Sequence, residues 1–137
     1  MALPLAFIEK MKKLLPVTEW EAFFDVYQEK PYRGLRLNPL KGEIADIKNK
    51  FPFLQERVNW EEYGYYIGEE KLGANPYYVA GLAYSQEPSA MSAAPLLEVQ
   101  AGDKVLDLCS APGGKGTQLA CRTPSYMKRP ESVTMPV

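Results

Sequence analysis

The sequence contains no histidine and only two cysteines, Cys109 and Cys121. The first absence excludes a serine–histidine–acid triad, a histidine general base and the zinc sets built from paired Cys and His, so no metal site is expected. The second excludes a disulfide framework and fits a reducing compartment. No apolar run approaches the roughly 18 residues that a membrane-spanning helix needs. The apolar start MALPLAFIEKMKKLL is interrupted by Glu9, Lys10, Lys12 and Lys13 and has no small-residue cleavage site, so the expected location is the cytoplasm. Excess positive charge is missing too: a formal net charge of −1 excludes adhesion of the whole domain to nucleic acid, and any RNA contact has to come from a local patch.

What is present is an ordinary globular composition, with 46% apolar and 24% charged residues in 137, enough for one modest core and an expected monomer. Leu5, Ile8, Met11, Leu14 and Leu15 recur at helical spacing until Pro16. Thr18 and Glu21 form a capping-box pattern ahead of Trp20, Phe23, Phe24 and Tyr27, which share one helical face. The chain is therefore predicted to open with two short helices on a shared core.

In YRGLRLNPLK, Leu35 and Leu37 alternate with Arg36 and Asn38, the period of a half-buried strand with Arg36 and Asn38 on its exposed face. GEIADIKNKF spaces Ile44, Ile47 and Phe51 as a short amphipathic helix, and FPFLQERV and YGYYIG read as strands. Gly, Asn and Pro cluster over residues 68–76, which suggests a boundary there. Beyond it, residues 84–86 read as extended and Pro88 as the first residue of a helix running to about Leu97.

KVLDL, residues 104–108, is apolar apart from Asp107, as a central parallel strand covered on both faces would be. CSAPGGK and a helical GTQLA follow it. Strand, glycine-rich turn and helix form the entry of a doubly wound sheet, where ligands sit at the carboxyl ends of the strands. Gly113 and Gly114 remove side chains where backbone must approach a ligand, the following helix offers free N–H groups, and Asp107 supplies an acceptor. A phosphate loop of the Gly-x-x-x-x-Gly-Lys-Ser/Thr type fails at both ends, with Cys109 at its first position and Gly116 at its last. A Gly-x-Gly-x-x-Gly dinucleotide fingerprint is absent as well. On the glycines alone, a plain tight turn outranks both.

YSQEPSAM (84–91) followed by VLDLCSAPGGK (105–115) resembles the signature of the RNA cytosine C5-methyltransferases, the bacterial rRNA enzymes of the Nol1/Nop2/Sun family. LRLNPLK (35–41) is similar to that family's Arg-x-Asn-x-x-Lys motif, Ala80-Gly81-Leu82 is also family-like, and the likeness runs from about residue 1 to Ala120. It implies an α/β fold: a small N-terminal RNA-facing module over residues 1–78, then the start of a Rossmann-like S-adenosylmethionine-dependent methyltransferase domain over 79–120. It implies that Cys109, Ser110, Ala111, Pro112, Gly113, Gly114 and Lys115 line the S-adenosylmethionine site, with Ser110 where the family has Ala, and that Asp107 supports the loop. It places Arg36, Asn38 and Lys41 in the rRNA-facing module; Tyr32, Tyr77 and Tyr78 are nearby rings able to stack on bases, though packing is the commoner use of such tyrosines.

The implied reaction needs a cysteine thiolate to add to cytosine carbon 6, which makes carbon 5 reactive toward the sulfonium methyl, and a base to remove the proton. In the family these groups lie in Pro-Cys and Thr-Cys-Thr motifs, which this chain lacks. Cys109 belongs to the cofactor turn and Cys121 lies where the likeness ends, so no catalytic residue is assigned. Residues 121–137 lose helical and strand period and are expected to be an aberrant, disordered tail, the signature of a frameshift, premature stop or annotation break in a longer methyltransferase. The chain itself is then expected to be inactive, and the competing reading is a non-catalytic RNA-binding fragment of residues 1 to about 78.

Overall fold

The structure is a computed structural model that describes residues 3–122, so most of the expected aberrant tail lies outside the described residues. The chain divides between Pro31 and Tyr32 into two compact units.

In the first unit, α1 (Leu5–Leu14) carries Lys12 and Lys13 in its last turn, where cations meet the negative end of the helix dipole. It ends with Leu15 extended, as the residue before a proline prefers. A 3₁₀ turn at Val17–Glu19 leads into α2 (Trp20–Asp25). The expected capping box does not form: Thr18 lies inside the 3₁₀ turn, and Glu19 precedes α2 without a side-chain cap. The Trp20 indole Nε1 instead donates to Leu15 O at 3.0 Å, and Lys12 Nζ lies 5.0 Å from its ring centroid. Phe7, Phe23 and Tyr27 meet with centroids 5.5–6.5 Å apart, so α1 meets α2 and the 3₁₀ turn after it (Val26–Gln28) through Phe7, a residue outside the spaced set Leu5, Ile8, Met11, Leu14 and Leu15, and neither helix has a fully buried residue.

The second unit is built on a three-stranded antiparallel sheet of order β2-β1-β3, with β1 (Arg33–Leu37) central, β2 (Gly64–Ile67) and β3 (Ala83–Ser85). Leu35 faces Tyr65 and Ser85, and Arg36 faces Gly64 and Tyr84. Leu35 and Leu37, both 0% exposed, pack with Ile47 and Phe51, so the amphipathic spacing of 42–51 is realised in α3 (Ile44–Asn49). The short helix α4 (Pro76–Val79) is capped by Asn75, whose Oδ1 accepts from Tyr77 N and Tyr78 N. FPFLQERV is not a full strand: it runs irregularly beside β2 with one bridge, Arg57 to Tyr65. Pro88 precedes a 3₁₀ turn and α5 (Ala93–Leu96), and the chain then reaches α6 (Gly114–Arg122).

Because β3 pairs with β1, no packing boundary falls between residues 78 and 79. Two expectations are corrected. Arg36 is not on an exposed face; it is 2% exposed, because β1 is covered on both sides. Residues 104–108 form no strand. Leu106 and Leu108 are 80% and 85% exposed, since none of the described residues supplies a strand for the segment to pair with, and an unpaired strand backbone gains nothing over hydration. The described sheet is thus antiparallel, and Cys121 and Arg122, expected in the tail, continue α6. No helix among the described residues is long and apolar enough to cross a membrane.

Gly34 shows why β1 tolerates a residue of low strand preference. A Cβ there would stand 2.6 Å from Gln86 O and 2.8 Å from Met91 Cε. Gly34→Ala is expected to destabilise the unit by about 2 kcal/mol, read as a lower urea midpoint at unchanged slope; an unchanged midpoint would show that the Gln86 carbonyl yields freely.

Candidate functional site

The glycine-rich segment 109–115 forms a turn into α6. Gly113 has φ +108°, a conformation that an L side chain rarely adopts. Its carbonyl accepts from the amide of Thr117 at 2.9 Å and from the Thr117 hydroxyl at 2.7 Å, which closes the first turn of the helix. Cys109, Ser110, Ala111, Pro112 and Lys115 are exposed, and Gly113 and Gly114 partly so. The first amides of α6 lack intrahelical acceptors by geometry and carry the positive end of its dipole.

Asp107 stands beside them. Its Oδ1 accepts from Cys109 N at 2.9 Å, while its Oδ2 is buried and has no hydrogen-bond partner among the described residues. A Cβ at Gly116 would stand 3.3 Å from that oxygen, so the carboxylate lies against the start of the helix. A partnerless buried carboxylate oxygen is costly, and here it faces a terminus rich in N–H groups.

Behind the turn, Tyr84 Oη donates to Pro112 O at 3.0 Å. Arg36 Nη2 donates to Gly114 O at 3.2 Å and to Thr117 Oγ1 at 2.8 Å, Nε to Gln86 Oε1 at 3.0 Å, and Nη1 to Cys121 Sγ at 3.5 Å. Gln86 Nε2 donates to Gln118 Oε1 at 3.0 Å, and Gln118 Nε2 to Glu61 Oε2 and, at 2.6 Å, to Met91 O. Arg122 Nη2 also reaches Glu61 Oε2, at 3.1 Å. Burial lowers the Arg36 pKa from its ordinary value, against the opposing pull of Cys121 and Glu61. Burial likewise pushes the Cys121 thiol up, against the pull of Arg36.

The three residues assigned to RNA contact separate here. Arg36 bonds inside the unit. Asn38 is half-buried, with Nδ2 donating to Gly81 O at 3.1 Å and Oδ1 accepting from Leu40 N at 3.1 Å. Lys41 is exposed. All three line a cavity of about 250 Å³ with Tyr84, Thr117 and Cys121, so LRLNPLK and α6 share one site. Among the tyrosines, Tyr32 is 75% exposed and meets Tyr66 edge-on at 5.6 Å, Tyr77 lies under Lys50 Nζ at 5.4 Å, and Tyr78 packs on the core.

A sequence model of the N-terminal domain of 16S rRNA methyltransferase RsmF matches residues 3–88. The chain belongs to this family. The ribosomal RNA small subunit methyltransferase F of Escherichia coli O1:K1 / APEC is 32% identical over 130 residues, which cover 87% of this chain and 27% of that protein. Its Erwinia tasmaniensis counterpart is 33% identical over 129 residues, covering 85% and 27%. The chain therefore spans about a quarter of the length of the curated relatives it matches. A crystal structure of a methyltransferase homolog protein from Pyrococcus horikoshii superposes with a TM-score of 0.65 at 25% identity, over 87% of this chain and 45% of that one. A second solved structure gives a TM-score of 0.71 at 26% identity, over 86% and 28%. These matches bear out the resemblance drawn from LRLNPLK and YSQEPSAM.

The RsmF-family match ends at Pro88, so it holds the whole sheet and Gln86, while the turn and α6 lie beyond it. Sequence reasoning missed Glu61, Gln86, Thr117 and Gln118 as site residues. Gln86, Thr117 and Gln118 stand within the quoted runs YSQEPSAM and GTQLA, whereas nothing in the sequence marks Glu61.

The two thiols differ in burial, with Cys109 exposed and Cys121 buried beside Arg36. Native-state iodoacetamide labelling read by mass spectrometry is expected to modify Cys109 at least about tenfold faster than Cys121. Equal rates would mean that α6 leaves the sheet readily.

Proposed function

We propose that this chain carries the RNA-side module and the first cofactor contacts of an S-adenosylmethionine-dependent methyltransferase acting on carbon 5 of a cytosine in small-subunit rRNA. The observation that carries the reading is the turn itself: open glycines at a helix start with the partnerless Asp107 Oδ2 beside them, in a chain of the RsmF family. Family membership and the names of the relatives support rRNA methylation; the cytosine and the methyl donor rest on the resemblance of CSAPGGK and YSQEPSAM. On the same reading, residues 104–108 are the first strand of a Rossmann-like sheet and take strand form only beside neighbours, and the protein works in the cytoplasm.

The residues fit the cofactor. Cys109, Ser110, Ala111, Pro112, Gly113, Gly114 and Lys115 would hold it, with helix-terminal amides donating to its carboxylate and Asp107 Oδ2 accepting from an amino or hydroxyl group. When bound, it supplies an electrophilic sulfonium methyl. Gly113 and Gly114 keep the backbone bare at that point.

Neither cysteine is assigned as nucleophile. Cys109 belongs to the turn, and Cys121 is a buried thiol with a raised pKa, whereas addition to a cytosine requires an accessible thiolate. RNA contact is assigned to the exposed Lys41 at the rim of the cavity shared with Asn38 and Arg36. The inward bonding of Arg36 and half-burial of Asn38 weigh against an independent RNA-binding edge over residues 1–78.

Titration of ¹⁵N-labelled chain with S-adenosylmethionine is expected to shift amides at residues 107–117 only, with a dissociation constant weaker than about 100 μM because one turn gives part of the contacts. ATP at equal concentration should leave them unmoved. Absence of any S-adenosylmethionine shift at millimolar concentration, or equal shifts with ATP, would overturn the cofactor assignment.

A further inference from the structure

The turn has a front open to solvent and a back that rests on the sheet. Two side chains meet the back, Arg36 on β1 and Tyr84 on β3, and they are register partners across the two strands. Tyr84 Oη holds Pro112 O, and Arg36 Nη2 holds Gly114 O. Both contacts are to backbone carbonyls, on either side of the positive-φ residue Gly113.

We propose that Arg36 and Tyr84 are positioning residues for the cofactor turn: by fixing the Pro112 and Gly114 carbonyls from behind, they set the direction of the N–H groups in front. The reasoning is peptide geometry. In a planar trans peptide the C=O and the next N–H point in opposite directions. A Pro112 carbonyl tied toward the sheet sends the Gly113 N–H away from it, and a Gly114 carbonyl tied to Arg36 does the same for Lys115. These are the donors that an anionic group on the front would meet. The consequence for cofactor binding rests on the function proposed above; the consequence for the order of the turn does not.

Arg36 can act as a fixed anchor because its own position is set. Its Nε bonds Gln86, which bonds Gln118, which bonds Glu61, and every donor in this chain points from the guanidinium toward the carboxylate. Arg36 also lies under the Tyr84 ring, with Cζ 5.9 Å from the centroid, so the two positioning groups steady each other. Tyr84 is only half-buried, and its bond to Pro112 O is an exposed one, of the kind that adds little to global stability. Its geometric effect on the turn is therefore separable from any effect on folding.

The test uses the 137-residue chain with Tyr84→Phe and Arg36→Lys, measured well below the thermal transition. Tyr84→Phe is expected to keep the melting midpoint within about 2 °C while the ¹⁵N order parameter of Gly113 falls from the rigid range near 0.85 to below about 0.6. S-adenosylmethionine affinity should fall about fivefold with Tyr84→Phe and more than tenfold with Arg36→Lys, which keeps the charge but loses the fork that spans Gly114 O and Gln86. Should Arg36→Lys fail to fold, Tyr84→Phe decides alone. Wild-type order parameters in Tyr84→Phe would overturn the proposal, and so would loosened turns that bind S-adenosylmethionine as tightly as wild type. A loosened turn in a protein whose wild type binds no S-adenosylmethionine would leave the positioning of the turn standing and overturn the cofactor reading instead.

Discussion

Arg36 is a cation in the middle strand of the sheet, and the second unit is organised around keeping it there. Removing a charge from water costs several kcal/mol even after relaxation, and the cost is met only when its donors find partners of good geometry. A guanidinium has five N–H groups. Four bonds are formed here, to Gln86, Cys121, Gly114 O and Thr117, and a buried carboxylate, Glu61, stands two amides away. The face of α6 that meets the sheet is polar for this reason: Gln118 and Cys121 are buried, and the exposed Thr117 turns its hydroxyl to Arg36, where an amphipathic helix would ordinarily place leucines.

That polarity also fixes how α6 can sit. Gln118 serves as acceptor for Gln86 and donor to Glu61 and Met91 O, a double duty that neither Glu nor Leu could perform. A shift of α6 by one residue would remove Thr117, Gln118 and Cys121 from their partners at once. An apolar interface would yield more gradually, since hydrophobic contact has little directionality. Glu61, paired with Arg122 and with the amide end of the chain of side chains, closes the network with its charge compensated.

LRLNPLK, YSQEPSAM and GTQLA, separated by about fifty and thirty residues, therefore converge on one cluster through Arg36, Gln86 and Gln118. The elements were legible from the chain: alternation at Leu35 and Leu37, the helical spacing of Ile44, Ile47 and Phe51, and the helix after the glycines. The environment of Arg36 was not. A period of two says that Arg36 points opposite to Leu35, but whether that side meets water or a helix depends on residues far along the sequence. Charge suggested water, because the partners that make burial tolerable are uncharged: an amide, a thiol, a hydroxyl and a backbone carbonyl. KVLDL failed for the opposite reason, since an apolar run specifies that it wants cover and says nothing of where the cover comes from.

This reverses the expected origin of order at the turn. In the sequence reading, the strand 104–108 delivers the loop and Asp107 supports it. In the structure, that segment is unpaired, with Leu106 and Leu108 facing solvent, and Asp107 Oδ1 reaches no further than the Cys109 amide. The firm attachments come from behind and downstream, through Tyr84, Arg36 and the buried side of α6. Residues of the RsmF-family module thus hold the glycine turn in shape without help from the strand that precedes it. The cavity beside Lys41 and the glycine turn are coupled through a single side chain, because the Arg36 that lines that cavity is the one that grips Gly114.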